Sequence, residues 1–200
     1  MSIEFVILWL SVLFPLVFSV GPGNLLCAVA GGSQGFRKSF PFILGLDVVY
    51  TSYSLIFGFG LGAVLLRFPT MMQAVQVVGA IYVAWLALKF LKRKTVEARE
   101  MPQLRFIDGV ISQALNVKGI SIVLTMYSQF LNTEADLVPQ VIGLSIALTC
   151  LNLFTHFSWT LGGHWMAKHF ASARAVRVQS IVFGVMLLVV SFWLLSKAFT

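Results

Sequence analysis

Lys118 lies about twelve residues inside an apolar run that opens near position 106. At ~1.5 Å of helical rise per residue it sits roughly 18 Å along the run, near the middle of a bilayer. A lysine at that depth costs ~2.5–3.5 kcal/mol to insert, and it is too deep to snorkel easily. It should therefore face a partner or a cavity. An ammonium there can hold a carboxylate, or exchange a proton once desolvated. The structural alternative is an ion pair with Asp47, the only acid well inside an apolar run. Asp47 could equally bind a substrate amine, carry a proton, or be solvated near the inner mouth of its helix.

Other polar groups keep Lys118 company. The first run is interrupted by Gly21-Pro22-Gly23-Asn24. Proline removes a backbone donor and glycine loosens the helix, so the freed carbonyls need partners that hydrocarbon does not offer. One reading is a discontinuous helix whose backbone, with Pro22, Gly23 and Asn24, binds a polar substrate. The alternatives are a simple proline kink, or a helix that ends before a loop at Gly31-Gly32. Asn116 precedes Lys118 in the fourth run. Asn152 and His156 are four apart and so share a helix face in the fifth. His156 could relay protons, but the plainer reading is helix–helix hydrogen bonding, worth ~0.6 kcal/mol per contact. Cys27 and Cys150 form no CxxC or zinc spacing and read as small buried hydrophobes. No metal cluster or nucleophile–base–acid set is evident, which excludes metal chemistry and argues against a hydrolase.

The elements that must position these residues are transmembrane helices. Of 200 residues, 58% are hydrophobic and only 10% charged, far fewer charges than a soluble surface carries. Apolar runs cover about 3–30, 39–66, 71–91, 106–131, 138–164 and 178–196. Each approaches or exceeds the ~20 residues a helix needs to cross a bilayer. The alternating segments of a β-barrel are absent. The spacing predicts an all-α membrane protein of six transmembrane helices.

The net charge of +7 sorts by loop. Arg37 and Lys38 lie in the first loop; Lys89, Lys92, Arg93, Lys94, Arg99 and Arg105 in the third; Lys168, Arg174 and Arg177 in the fifth. Those are eleven of the fourteen basic residues. The odd loops are therefore expected in the cytoplasm, with both termini, Glu4, Glu134, Asp136 and Arg67 outside. Trp85 and Trp165 fall near inner ends and Trp193 near an outer one, as interfacial anchors. Charge sorted this way, without a recognition module, excludes nucleic acid as a partner. The acidic start, Met1 to Glu4, reads as a retained first helix and not a cleaved signal. No polar stretch is long enough to build an appended soluble domain.

The polar stretch from Lys92 to Arg105 divides one domain, residues 1–200, into halves of about 1–92 and 105–200. Three helices per half give opposite orientations, which fits a 3+3 inverted repeat, with helix 1 broken at its glycine–proline segment. Gly58 and Gly62 make a GxxxG spacing that reads as close packing and would permit a homodimer.

Several segments together resemble the LysE/RhtB family of amino-acid exporters. The family's Pro-Gly-Pro-Asn break appears as Gly21-Pro22-Gly23-Asn24, followed by a glycine-plus-basic segment at 31–38. Its fourth-helix Asn-Pro-Lys motif appears as Asn116-Val117-Lys118, without the proline, and implies that helix 4 is broken as helix 1 is. Residues 45–46, 57–62 and 78–87 also look like its second and third helices. With 159–164 (WTLGGH), the Asn-Val-Lys form is similar to the branch of cysteine and O-acetylserine exporters. The resemblance implies efflux of small amino acids across the inner membrane, driven by protons, with no cofactor. Such a zwitterion needs one site of each sign; Lys118 suits its carboxylate and Asp47 its ammonium, if both reach one cavity. Two rivals stand beside this reading: a thiol–disulfide carrier using Cys27 and Cys150, and an assembly subunit that transports nothing.

Overall fold

A computed structural model describes residues 3–61, 69–91, 103–132, 135–169 and 173–198. Among them are eight α-helices and no strands: α1 (Ile3–Phe18), α2 (Pro22–Gln34), α3 (Phe36–Ile56), α4 (Pro69–Leu91), α5 (Phe106–Ala114), α6 (Val117–Phe130), α7 (Leu137–His169) and α8 (Ala173–Ala198). A π-turn, Phe57–Leu61, ends α3. Gly62, Arg67, Glu134 and most of the central basic stretch (Lys92, Arg93, Lys94 and Arg99) lie outside the described residues. So do the side chains of Lys89, Arg174, Trp193 and Lys197.

Two apolar runs are broken, both where the sequence predicts. α1 and α2 meet at 62°, as do α5 and α6. The first break has a proline to cause it: Pro22 begins α2 where its missing N–H costs nothing. The second has none, yet bends equally. There Asn116 caps α6, its Oδ1 accepting from the Gly119 N–H at 3.3 Å. An asparagine that captures a local backbone donor competes with the helix as effectively as a proline interrupts it. The pair Gly31-Gly32 does not form a loop; both residues continue α2, and the chain turns at Gly35 with φ of 82°. That left-handed conformation suits glycine.

By length and apolarity, residues 36–60 and 137–169 can each cross a membrane, and each bent pair makes one further candidate, up to four in all. The order of bent pair, long helix and single helix occurs twice along the chain. The polarity is inside out, as lipid solvation demands. Ile7, Phe14, Ile146 and Phe154 are exposed, whereas Asn24, Asp47, Asn152, His156 and Thr160 are buried.

Four glycines set two tight helix crossings. A Cβ on Gly31 would strike the Thr160 carbonyl, and one on Gly163 the Ala28 carbonyl, where α2 crosses α7. Gly45 and Gly109 meet the carbonyls of Phe106 and Phe42 in the same reciprocal way where α3 crosses α5. Such backbone contact needs small residues and yields dispersion and Cα–H···O attraction, the usual glue between membrane helices. Gly58 packs beneath Tyr127 and Val141, which fits its packing role.

The ends of the bundle are tied separately. At one end Gln34 brackets Leu104, donating to its carbonyl at 3.0 Å and accepting its N–H at 2.8 Å, and His164 lies beside Gly35. The start of α3, with Arg37 and Lys38, therefore lies beside the Leu104–Arg105 segment and the His164 turn of α7. Trp85 and Trp165 are exposed toward the same end of their helices. At the opposite end Phe5 packs edge-on to Phe130, and Gln140 bonds to the backbone of Asn132 and Asp136. One apolar cluster occupies each half of the bundle. The polar residues fall between them.

Candidate functional site

Breaking a helix frees carbonyls, and the donors that satisfy them are the first components of the site. Asn24 Nδ2 donates to the carbonyls of Val17 (2.8 Å) and Ser19 (2.9 Å). Trp159 Nε1 donates to that of Phe18 at 3.2 Å. Lys118 Nζ reaches across from the other broken helix to the Ser19 carbonyl at 2.7 Å. The negative end of α1 is thus capped by an ammonium, the charge its dipole favours. Gly21 has no side chain where the Lys118 stem crosses it: a Cβ there would lie 2.8 Å from Lys118 Cδ.

Between the two breaks lies a cavity of about 20 Å³, room for roughly one water. Gly23, Asn24, Asn116, Lys118, Asn152 and His156 line it, all residues picked out from sequence. Pro22 is buried at the start of α2 but does not line it. Asp47 lies one step behind: its carboxylate oxygens are 3.1 and 3.2 Å from His156 Nδ1. The two are buried together, α3 against α7. The expected alternative of a Lys118–Asp47 pair is not what forms. Each charge found a nearer partner, Lys118 in a freed carbonyl and Asp47 in an imidazole. The plainer reading of His156, a hydrogen bond between helices, describes its contact.

Tyr50 and Gln113 also line the cavity, and sequence reasoning passed over both. Gln113 Oε1 accepts from Asn116 Nδ2 at 3.0 Å, but its Nε2 is buried with no partner among the described residues. Helical spacing was the available signal: Gln113 is three residues before Asn116, and Tyr50 three after Asp47. A buried unpartnered donor costs about 1–3 kcal/mol, so Gln113 Nε2 at the cavity wall is a donor available to a ligand or water.

The Asp47–His156 contact yields a stability prediction. His156→Leu leaves a buried carboxylate uncompensated and should cost about 3–5 kcal/mol, whereas replacing both partners with apolar residues should restore most of it. Thermal unfolding of the purified variants in detergent reads this directly. Equal stability for wild type and His156→Leu would show that the pair contributes nothing.

Polar side chains gathered where two apolar spans are interrupted define a helical membrane transporter. The chain belongs to the LysE type translocator family, whose model matches residues 14–198. It is 29% identical over 154 residues to a cysteine/O-acetylserine efflux protein of Salmonella paratyphi A, covering 75% of this chain and 77% of that one. Against the protein of the same name in Escherichia coli O1:K1 the identity is 27% over the same shares. A membrane protein of Vibrio cholerae with no described function is 24% identical over 187 residues, 89% of this chain and 91% of that one. No solved structure matches. A translocator family and relatives named for efflux identify the chain as a transporter, not an enzyme.

Proposed function

We propose that the chain exports small amino acids or their derivatives, cysteine or O-acetylserine among them, from the cytoplasm across the inner membrane. The observation that carries this reading is the Lys118 ammonium held at a polar cavity between two broken helices. Half-helix ends present backbone donors and acceptors to a zwitterion without adding net charge to the membrane. The relatives named for cysteine and O-acetylserine efflux point to the substrate class.

In this reading the chain is one domain, residues 1–200, of six spans in a 3+3 inverted repeat. α4 and α8 supply the two spans beyond the four candidates, and the end that holds Arg37, Lys38 and Arg105 faces the cytoplasm. Both termini then lie outside. The cavity, sized for water, admits an amino acid only when its walls part. The glycine crossings at Gly31, Gly163, Gly45 and Gly109 lie toward the basic end, so they are what separates to let substrate in from the cytoplasm. Protons drive the cycle, with the Asp47–His156 pair as carrier behind the cavity. Asp47, screened by His156, suits that role better than direct contact with the substrate ammonium. Two copies in a homodimer are compatible with the exposed apolar faces.

An accumulation assay tests the reading. Cells expressing the protein should lower their internal pool of the exported amino acid and raise the external one, and a protonophore should abolish the difference. No change for any amino acid would overturn it. The rival thiol carrier needs Cys27 and Cys150 to meet. Cys27 is buried in α2 and Cys150 exposed on α7, both as free thiols. A Cys27→Ala/Cys150→Ala variant is expected to export at the wild-type rate; loss of activity there would favour the thiol carrier.

A further inference from the structure

A carried amino acid has two charged groups, and the resting contacts of Lys118 indicate where one of them goes. The end of α1 presents carbonyls, the negative pole of a helix, at the edge of the cavity. Ser19 and Val20 are exposed at the break, so this pole lies at the edge of the packed helices and not in a closed core. A primary ammonium, that of Lys118, sits on the Ser19 carbonyl at 2.7 Å. Its stem lies across Gly21, where any side chain would push it away. An α-amino acid brings a primary ammonium of the same charge and donor count, and carries a carboxylate two bonds further on.

We propose that the carbonyl end of α1 is the ammonium subsite for the substrate, and that Lys118 fills it in the empty carrier as a tethered stand-in. On loading, the substrate ammonium takes the Ser19 carbonyl. Lys118, displaced, pairs with the substrate carboxylate, and the zwitterion is inserted into the contact that Lys118 made alone. Gln113 Nε2, buried at the cavity wall with no partner among the described residues, is the second donor for that carboxylate. Charge is conserved in the exchange, since a neutral zwitterion enters and no charged group loses its partner. With Asn24 alone on the Ser19 carbonyl, an empty carrier would leave part of that pole unsatisfied at mid-membrane, which is costly. The stand-in removes that cost, so the unloaded carrier can return.

This assignment rests on the amino-acid reading above, and the test keeps the two apart. Purified protein in lipid nanodiscs is melted with methylammonium, with tetramethylammonium, which has charge but no N–H, and with O-acetylserine. Lys118→Met vacates the subsite, so methylammonium should raise its melting temperature by roughly 2–4 °C at saturation. Tetramethylammonium should not, and wild type should respond to neither. Gly21→Ala crowds the Lys118 stem without removing the charge, and it should respond to methylammonium in the same direction but less. If methylammonium has no effect on either variant, or tetramethylammonium matches it, the subsite is wrong. O-acetylserine binding to wild type then judges the amino-acid reading separately. Methylammonium rescue without any amino-acid binding would leave a cation site and overturn its assignment to the substrate.

Discussion

Lys118→Gln is expected to abolish export while the protein accumulates at or above its normal level. The two halves of that result have separate causes. Glutamine keeps a hydrogen-bonding head, one atom closer to the backbone, but loses the charge. Truncating one partner of a desolvated charge pair costs about 2–5 kcal/mol. If the substrate carboxylate is that partner in the transported state, the export rate falls by roughly two orders of magnitude. Insertion moves the other way. A neutral residue relieves the ~2.5–3.5 kcal/mol that a mid-membrane lysine costs, so a loss of activity cannot be assigned to failed folding. The Ser19 carbonyl keeps Asn24 as a donor in the variant, so the break itself survives. The measurement is the export rate per unit of membrane-inserted protein. Full-rate export by Lys118→Gln at equal abundance would remove Lys118 from the site.

The second large effect separates two adjacent glycines. Gly163→Ala should lower the melting temperature of the purified protein and reduce its abundance, whereas Gly162→Ala should be neutral or mildly stabilising. A methyl on Gly163 runs into the Ala28 carbonyl. Backbone cannot step aside as a side chain can, so α2 must move away from α7. Overpacking of this kind costs about 1–3 kcal/mol, or several degrees in a chain of this size. A methyl on Gly162 meets nothing within 4 Å, and alanine is the better helix former by ~1 kcal/mol. Equal effects at the two positions would mean that the α2–α7 crossing is not as close as the structure has it. A further consequence concerns function. A crossing held apart by Gly163→Ala keeps the basic end ajar, so any residual protein should export poorly even where it folds.

Much of the molecule was legible from residue type alone. Hydrophobic runs near bilayer length require helices because hydrocarbon offers no backbone partners. Gly21-Pro22-Gly23 had to interrupt the first run, because proline cannot donate. The break at Asn116 was legible too, but only through the family pattern, and its cause is a cap where a proline was to be expected. Asn24, Asn116, Lys118, Asn152 and His156 stood out for one reason: a polar side chain at mid-membrane is costly unless it faces a cavity or partner.

What sequence could not decide was pairing, since it depends on how helices distant in the chain lie against one another. Lys118 and Asp47 are the two deep charges, and an ion pair between them was one of the alternatives their residue types allowed. The fold set Asp47 against His156, 109 residues away, and gave Lys118 the Ser19 carbonyl, 99 residues away. Tyr50 and Gln113 became site residues only when α3 and α5 closed around the cavity. Gly31, Gly45, Gly109 and Gly163 gained their importance in the same way. A glycine in a membrane helix is unremarkable until another backbone is brought against it. Residue types alone thus established that a polar site must exist inside the membrane, because lipid cannot solvate those groups. Only the packing of the helices decided which groups satisfy one another there, and which remain open to a ligand.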